Sequence, residues 1–333
     1  MSSTAETWQE NRSGLVYAAP VEEELAAVET MLADQMRSKV PYVDDLVRYG
    51  CLLGGKRLRP ILLLLVAKSV GQVTSRHILL ATVVEMIHTA TLVHDDVLDA
   101  ATMRRHCPTV NDRWDTEASI LLGDFLFTQA FYLASTLDST WACRLIGETT
   151  NKLCEGEIRQ KGNQGKYGVS EAEYLAVNDA KTAALCACAC RLGMPEHDNE
   201  QGLGEQMESF GRCLGQAFQI VDDVLDVVGE EAKTGKSLGT DLQHQKATLP
   251  LIHLWHQVGD AQRSELREIM QGPWENRAAR LRPMLEQHRS IEYARQRALE
   301  FVATAGHCLQ GLPSNPAAEM LTRLPEFVLD RSR

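Results

Sequence analysis

The pentapeptide DDVLD occurs twice in this 333-residue chain, at 95–99 and at 222–226. Each copy closes a strongly apolar stretch, HTATLVHDDVLD and GQAFQIVDDVLD. On a helix the first and last aspartates of each copy lie one turn apart on one face, with the second aspartate beside them. Like charges at that spacing oppose a bare helix. So does their place late in the helix, where the backbone dipole disfavours anions. A fold that uses the device twice must bring each acidic helix end to a compensating cation. Hard divalent ions with oxygen ligands, Mg²⁺ above all, suit such carboxylates. An EF-hand is excluded, because neither copy has the alternating oxygen ligands and central glycine of that loop.

The remainder reads as helix. From Val21 onward apolar residues recur at helical spacing, as in Leu25, Val28 and Leu32, with carboxylates opposite. Glycine (23) and proline (11) are sparse, aromatics make up 6%, and no alternating β-branched runs stand out. The breaks are short: Gly54-Gly55, Cys107-Pro108, Lys161 to Gly168, Met194 to Gly202, Gly229 to Gln245, Gly272-Pro273 and Leu312 to Pro316. None has the length or composition of a linker. The expectation is a polar tail over residues 1–20 and one all-α domain over 21–333. The polar start is unlike a signal peptide, and the longest apolar run, Ile61 to Ala67, is far short of the ~20 residues of a bilayer span. This points to a cytoplasmic protein. Cys186, Cys188 and Cys190 alternate in an apolar stretch and are expected to be small buried thiols in a reducing compartment.

The net charge of -11 argues against nucleic acid as a partner, and against simple attraction to anionic lipid. Taken alone it would also disfavour an anionic substrate. However, six of the acids belong to the two DDVLD copies, and Mg²⁺ held by one or two carboxylates usually completes its shell with substrate phosphate. Basic clusters that suit a phosphorylated ligand follow: Lys56, Arg57 and Arg59 in GGKRLRP, Arg104 and Arg105 after the first motif, and Lys233, Lys236 and Lys246 after the second. By itself Arg57 reads as solvated surface. GGKRLRP is not a Walker A loop, since it lacks the GxxxxGK[ST] frame.

In order, GGKRLRP, EMIHTATLVHDDVLD with MRR after it, LLGDFLF, CEGEIRQ, KTAALC, FQIVDDVLD and GKSLGTDLQHQKATLP make the chain resemble the trans-isoprenyl diphosphate synthases, or polyprenyl synthetases. The likeness runs from about residue 20 to the end. It implies a bundle of long helices around a central cavity, usually dimeric, with an aspartate motif on each side of the cavity mouth. It implies an enzyme that condenses isopentenyl diphosphate with an allylic diphosphate, using several Mg²⁺ ions. By the same resemblance Asp95, Asp96, Asp99, Asp222, Asp223 and Asp226 serve the metal, chiefly Asp95, Asp99 and Asp222. Arg104, Lys181, Lys236 and Lys246 match ligands of the allylic diphosphate. Lys56, Arg59, His88 and Arg105 match the isopentenyl diphosphate site. Thr182 and Gln219 match positions that face the reacting carbons.

A growing product would run down the first motif helix toward its N-terminus. One turn before Asp95 stand Ala90 and Thr91, where members that stop at fifteen carbons commonly carry a large aromatic. Both are small here, so the expected product is longer. Met86 and Ile87 on the next turn are candidates for a floor or a wall, and Phe125, Phe127 and Phe131 for stoppers or ordinary core. A long product would also need transient membrane contact for release.

Three departures from the family pattern stand out. Gln245 replaces the usual glycine before Lys246, His106 and Cys107 follow Arg105, and Ala100 to Thr102 replace an often acidic stretch. Loss of glycine removes easy access to positive φ, so both loops are expected to differ in path or closure. The alternatives are a farnesyl or geranylgeranyl diphosphate synthase, a non-catalytic subunit of a heteromeric prenyl synthase, a class I terpene cyclase, and a Mg²⁺-dependent phosphohydrolase. Two whole DDVLD motifs and GGKRLRP argue against the subunit and the cyclase.

Overall fold

The structure, a computed structural model, describes residues 16–52, 55–104, 107–196, 202–228 and 239–330. A 3₁₀ turn, Val16–Val21, leads into α1 (Glu22–Gln35), α2 (Pro41–Leu52) and α3 (Leu58–Val70). Next comes α4 (Ser75–Leu98), followed by a minimal antiparallel hairpin of β1 (Met103–Arg104) and β2 (Cys107–Pro108). Then follow α5 (Thr116–Ser135), α6 (Thr140–Asn163) and α7 (Glu171–Asn178). A π-helical stretch, Asp179–Ala183, carries α7 into α8 (Ala184–Gly193). The remaining long elements are α9 (Leu203–Val228), α10 (Leu249–Gln257), α11 (Asp260–Gln271), α12 (Arg277–Gln287), α13 (Ser290–Cys308) and α14 (Pro316–Asp330).

Local chemistry sets the boundaries. The side chains of Asp115, Ser139 and Ser170 accept backbone N–H bonds at the starts of α5, α6 and α7. Proline opens α2 and α14 and sits in the first turn of α10, where its missing N–H costs nothing. Helix α3 is apolar all round, and Ile61 through Val66 are fully buried, so it forms the centre of the bundle. Helix α8 touches α3, α4, α6 and α9, and so spaces the two motif-bearing helices α4 and α9. Its small residues permit this: Cys186, Cys188 and Cys190 are buried thiols, with Cys188 pushed up to about 12 by burial.

Some expectations need correcting. Residues 16–20, expected in the tail, pack into the fold: Ala18 is buried in the core and Tyr17 packs on Phe327 at 5.7 Å, while residues 1–15 lie outside the described residues. Residues 103–104 and 107–108 pair as two antiparallel strands too short to show an alternating pattern, and His106, with Arg105, lies outside the described residues. Helices also break at 36–40, 71–74 and 136–139. Phe131 is surface-exposed in the single chain, and so cannot act as an internal stopper there, while Phe125 and Phe127 pack against the core. Among the described residues, two helices, α4 and α5, are long and apolar enough to cross a membrane by length and composition. Most of the α4 window is buried inside the bundle, with the first aspartate motif at its end.

Candidate active site

The two copies of DDVLD end their helices differently. Asp99 is the C-cap of α4, its N–H donating to the Asp95 carbonyl at 2.8 Å. Ala100 takes a left-handed φ of 48° and turns the chain back. The hairpin then returns Arg104 to the helix, where Nε donates to both oxygens of buried Asp96 at 2.9 and 3.0 Å and Nη2 lies 2.7 Å away. Burial raises the Asp96 carboxyl, and Arg104 works against this. Asp96 therefore points inward, while Asp95 and Asp99 share the more open face.

On α9, Asp223 is buried and accepts from the Tyr174 hydroxyl at 2.7 Å and the Gln219 amide at 2.8 Å. Burial, then the nearby Asp241 charge, pushes its carboxyl up to about 8. Asp226 accepts the backbone N–H groups of Thr240 and Asp241 at 3.2 and 3.0 Å and the Thr240 hydroxyl at 3.1 Å. Burial and Asp241 raise it to about 7. Asp222 is half-buried at the same helix end.

The π-helical stretch presents Lys181 and Thr182 between the two helix ends. Two glycines let the neighbouring helices close on it. A Cβ at Gly156 of α6 would meet Ala180 Cβ at 2.8 Å, and one at Gly215 of α9 would meet Ala183 Cα at 2.6 Å. Lys181 Nζ lies 2.7 Å from Glu157, donates to Gln160 at 3.1 Å, and reaches Asp95 at 3.6 Å. Burial opposes its charge, but Asp95 and Glu157 outweigh that and raise its pKa. Thr182 donates to the Gln219 amide oxygen at 2.8 Å. A directed chain thus runs from Thr182 through Gln219 to Asp223.

Lys246 links the two motifs. Its Nζ donates to Asp99 at 3.1 Å and lies 3.4 Å from Asp241, whose backbone N–H caps Asp226. Burial opposes the lysine charge, but Asp241 and Asp99 prevail and raise its pKa.

The GGKRLRP segment corrects one expectation. Arg57 is buried, with a left-handed φ of 51°, and donates to Glu29 of α1 at 2.6 Å and Glu85 of α4 at 2.7 Å. It thereby staples the segment that carries Lys56 and Arg59 to two helices. Lys56 is exposed, and Arg59 is half-buried with its Nε enclosed. His88 is half-buried on α4, two turns before Asp95. Ala90, Met86 and Ile87 are fully buried and Thr91 is partly so. Arg105, Lys233 and Lys236 lie outside the described residues.

Glu157, Tyr174 and Asp241 escaped the reading of the sequence, although Glu157 stands in CEGEIRQ and Asp241 in GKSLGTDLQHQK. Their partners lie 24, 49 and 15 residues away, so no local pattern marks them. Among the described residues, no three His, Cys, Asp or Glu side chains converge as a ready-made metal site. The donor set nevertheless fits Mg²⁺, which uses one or two carboxylates and takes its remaining ligands from water and phosphate. Asp95, Asp99 and Asp222 keep part of their surface open, whereas burial and the Asp241 charge raise Asp223 and Asp226 beside them.

The all-α bundle thus brings two acidic helix ends to one mouth, with Lys181 and Lys246 between them. A polyprenyl synthetase family model matches residues 40–287. The chain is 37% identical over 319 residues to octaprenyl diphosphate synthase of Escherichia coli, covering 93% of this chain and 97% of that one. Its fold matches a decaprenyl diphosphate synthase from Rhodobacter capsulatus with a TM-score of 0.88 at 34% identity, over 95% and 98% of the two chains. A polyprenyl synthase from Caulobacter crescentus, solved with calcium and isoprenyl diphosphate, matches with a TM-score of 0.88 at 32% identity, over 95% and 97%. The chain belongs to the polyprenyl synthetase family.

Proposed function

We propose that the mouth between the two DDVLD helices is a diphosphate-transfer site. There the chain condenses isopentenyl diphosphate with an allylic diphosphate and repeats the step to an all-trans polyprenyl diphosphate longer than fifteen carbons. The observation that carries this reading is the charge arrangement across the mouth: Asp95 and Asp99 meet Lys181 at 3.6 Å and Lys246 at 3.1 Å. The naming of relatives as octaprenyl and decaprenyl synthases supports the long product.

Mg²⁺, when bound by Asp95, Asp99 and Asp222, supplies charge neutralisation of the leaving diphosphate. Lys181 and Lys246 transfer their bonds from the aspartates to the allylic diphosphate, joined by Arg104 and Lys236. The weakened C–O bond ionises to an allylic cation. The Thr182 and Gln219 dipoles, held in fixed orientation by Asp223, stabilise that cation without trapping it covalently. Lys56, Arg59, His88 and Arg105 hold isopentenyl diphosphate so that its double bond attacks at short range. The proton then lost goes to the departed diphosphate.

The enzyme works as a cytoplasmic homodimer with transient membrane contact for product release. Support for the dimer lies on α5, where Ile120, Leu121, Phe131 and Tyr132 are exposed. The pairs 120/131 and 121/132 each recur after about three turns of one face.

The test is a product assay on the purified chain with labelled isopentenyl diphosphate and C5, C10, C15 and C20 primers. Products beyond fifteen carbons are expected, with Ala90→Phe shortening them. Accumulation of farnesyl diphosphate alone would refute the chain length. Inactivity of the chain by itself would favour the non-catalytic subunit.

A further inference from the structure

We propose that Gln245 is a positioning residue for Lys246, a role that a glycine at this place could not fill. The inference rests on the assignment of Lys246 to the allylic diphosphate. Gln245 keeps the left-handed backbone, with φ 54°, which L-residues rarely adopt. The loop therefore follows the path open to glycine, contrary to the expectation of a changed one. What the side chain adds is a tether: its amide donates to the Met270 carbonyl at the end of α11, at 3.3 Å.

The need for a tether is visible in what lies behind the loop. A cavity of about 350 Å³ is lined in part by Gly165, Tyr167, Trp255, Met270 and Gln245. Leu242 anchors the start of the segment in the core, but beside the cavity Gln245 has open space on one side, so discrete hydrogen bonds must hold the backbone there. The structure supplies one to every carbonyl from 242 to 245. Arg277 donates to Leu242 at 2.5 Å and Gln243 at 3.2 Å, the Gln164 amide donates to His244 at 2.6 Å, and the Gly165 N–H donates to Gln245 at 3.0 Å. The next residue is Lys246, whose N–H donates to Asp241 at 2.8 Å and whose ammonium reaches Asp99 on the opposite helix. Gln245 is the fixed point directly before that backbone, which the Thr248 N–H also holds by donating to the Lys246 carbonyl at 3.1 Å. Ala100, next to Asp99, is also left-handed, so both ends of the Asp99–Lys246 contact leave tight turns.

The experiment compares Gln245→Gly, Gln245→Ala and Lys246→Ala in the full chain. The readouts are steady-state kinetics, melting temperature and amide exchange over 242–246. Gln245→Gly keeps the backbone path and loses the tether. It should raise KM for the allylic primer about three- to ten-fold, in line with one lost hydrogen bond. Turnover, KM for isopentenyl diphosphate and melting temperature should hold, while exchange in the loop accelerates. Gln245→Ala should show the same KM with a melting temperature below that of Gln245→Gly, because it keeps the strained φ that glycine relieves. If Lys246→Ala raises the allylic KM but Gln245→Gly leaves KM and exchange at wild-type values, the positioning role is wrong. A Gln245→Gly variant that loses turnover and stability together at unchanged KM would also overturn it. An unchanged allylic KM in Lys246→Ala would instead refute the assignment of Lys246 and remove the basis of the inference.

Discussion

The same five residues are stabilised in two unlike ways. At 95–99 the carboxylates meet cations: Arg104 on Asp96, Lys181 near Asp95, and Lys246 on Asp99. At 222–226, Asp223 and Asp226 meet neutral hydrogen-bond donors: Tyr174, Gln219, Thr240 and two backbone N–H groups. Both arrangements satisfy the oxygens. Among the described residues, the partners of the first copy are cations and those of Asp223 and Asp226 are neutral, and burial leaves Asp223 raised to about 8. Hydrogen-bond satisfaction and charge compensation are separate conditions, and a repeated motif can meet one without the other.

Breaking the comparison at its strongest point means removing a first-motif acid from the open face. Asp99→Ala is expected to lower turnover about 100-fold or more, as for loss of one electrostatic element of a transition-state site, measured by steady-state assay at saturating Mg²⁺. Next in size is the buried ion pair. Asp96→Ala strands Arg104 and should cost about 3 kcal/mol in denaturant melts. Asp223→Asn, with no cation to strand and an amide able to donate to Tyr174, should cost below about 1 kcal/mol in the same melts. Equal losses would erase the distinction.

A subtler effect comes from pH. The native Asp223 carboxyl, raised from 3.8 to about 8, holds a proton that the unfolded chain has released. Its contribution to stability is therefore full below pH ~4 and is lost as pH rises through about 8. In chelator, wild type minus Asp223→Asn should show a stability difference that falls over that window; a flat difference would contradict the raised carboxyl. Smallest of all, Tyr174→Phe should cost about 0.5 kcal/mol by removing one donor to Asp223.

Much of this was legible in the sequence because the signals were local. The helical spacing around Leu25, Val28 and Leu32, the short breaks and both DDVLD copies were readable residue by residue. Arg57 was not, because its acidic partners lie 28 residues away on either side, and burial of a charge is decided by those partners. Glu157, Tyr174 and Asp241 were hidden for the same reason. Gln245 was legible as a departure, but its effect was not: only the three-dimensional path shows that the left-handed turn survives and that its side chain finds Met270.

The central claim is that the first-motif carboxylates face a diphosphate-transfer site. Incorporation of labelled isopentenyl diphosphate onto an allylic primer by the purified chain, compared between wild type and Asp95→Asn at saturating Mg²⁺, tests it most directly. Robust incorporation by wild type, falling about 100-fold or more in Asp95→Asn, is the predicted result. Near-wild-type incorporation by Asp95→Asn would contradict it.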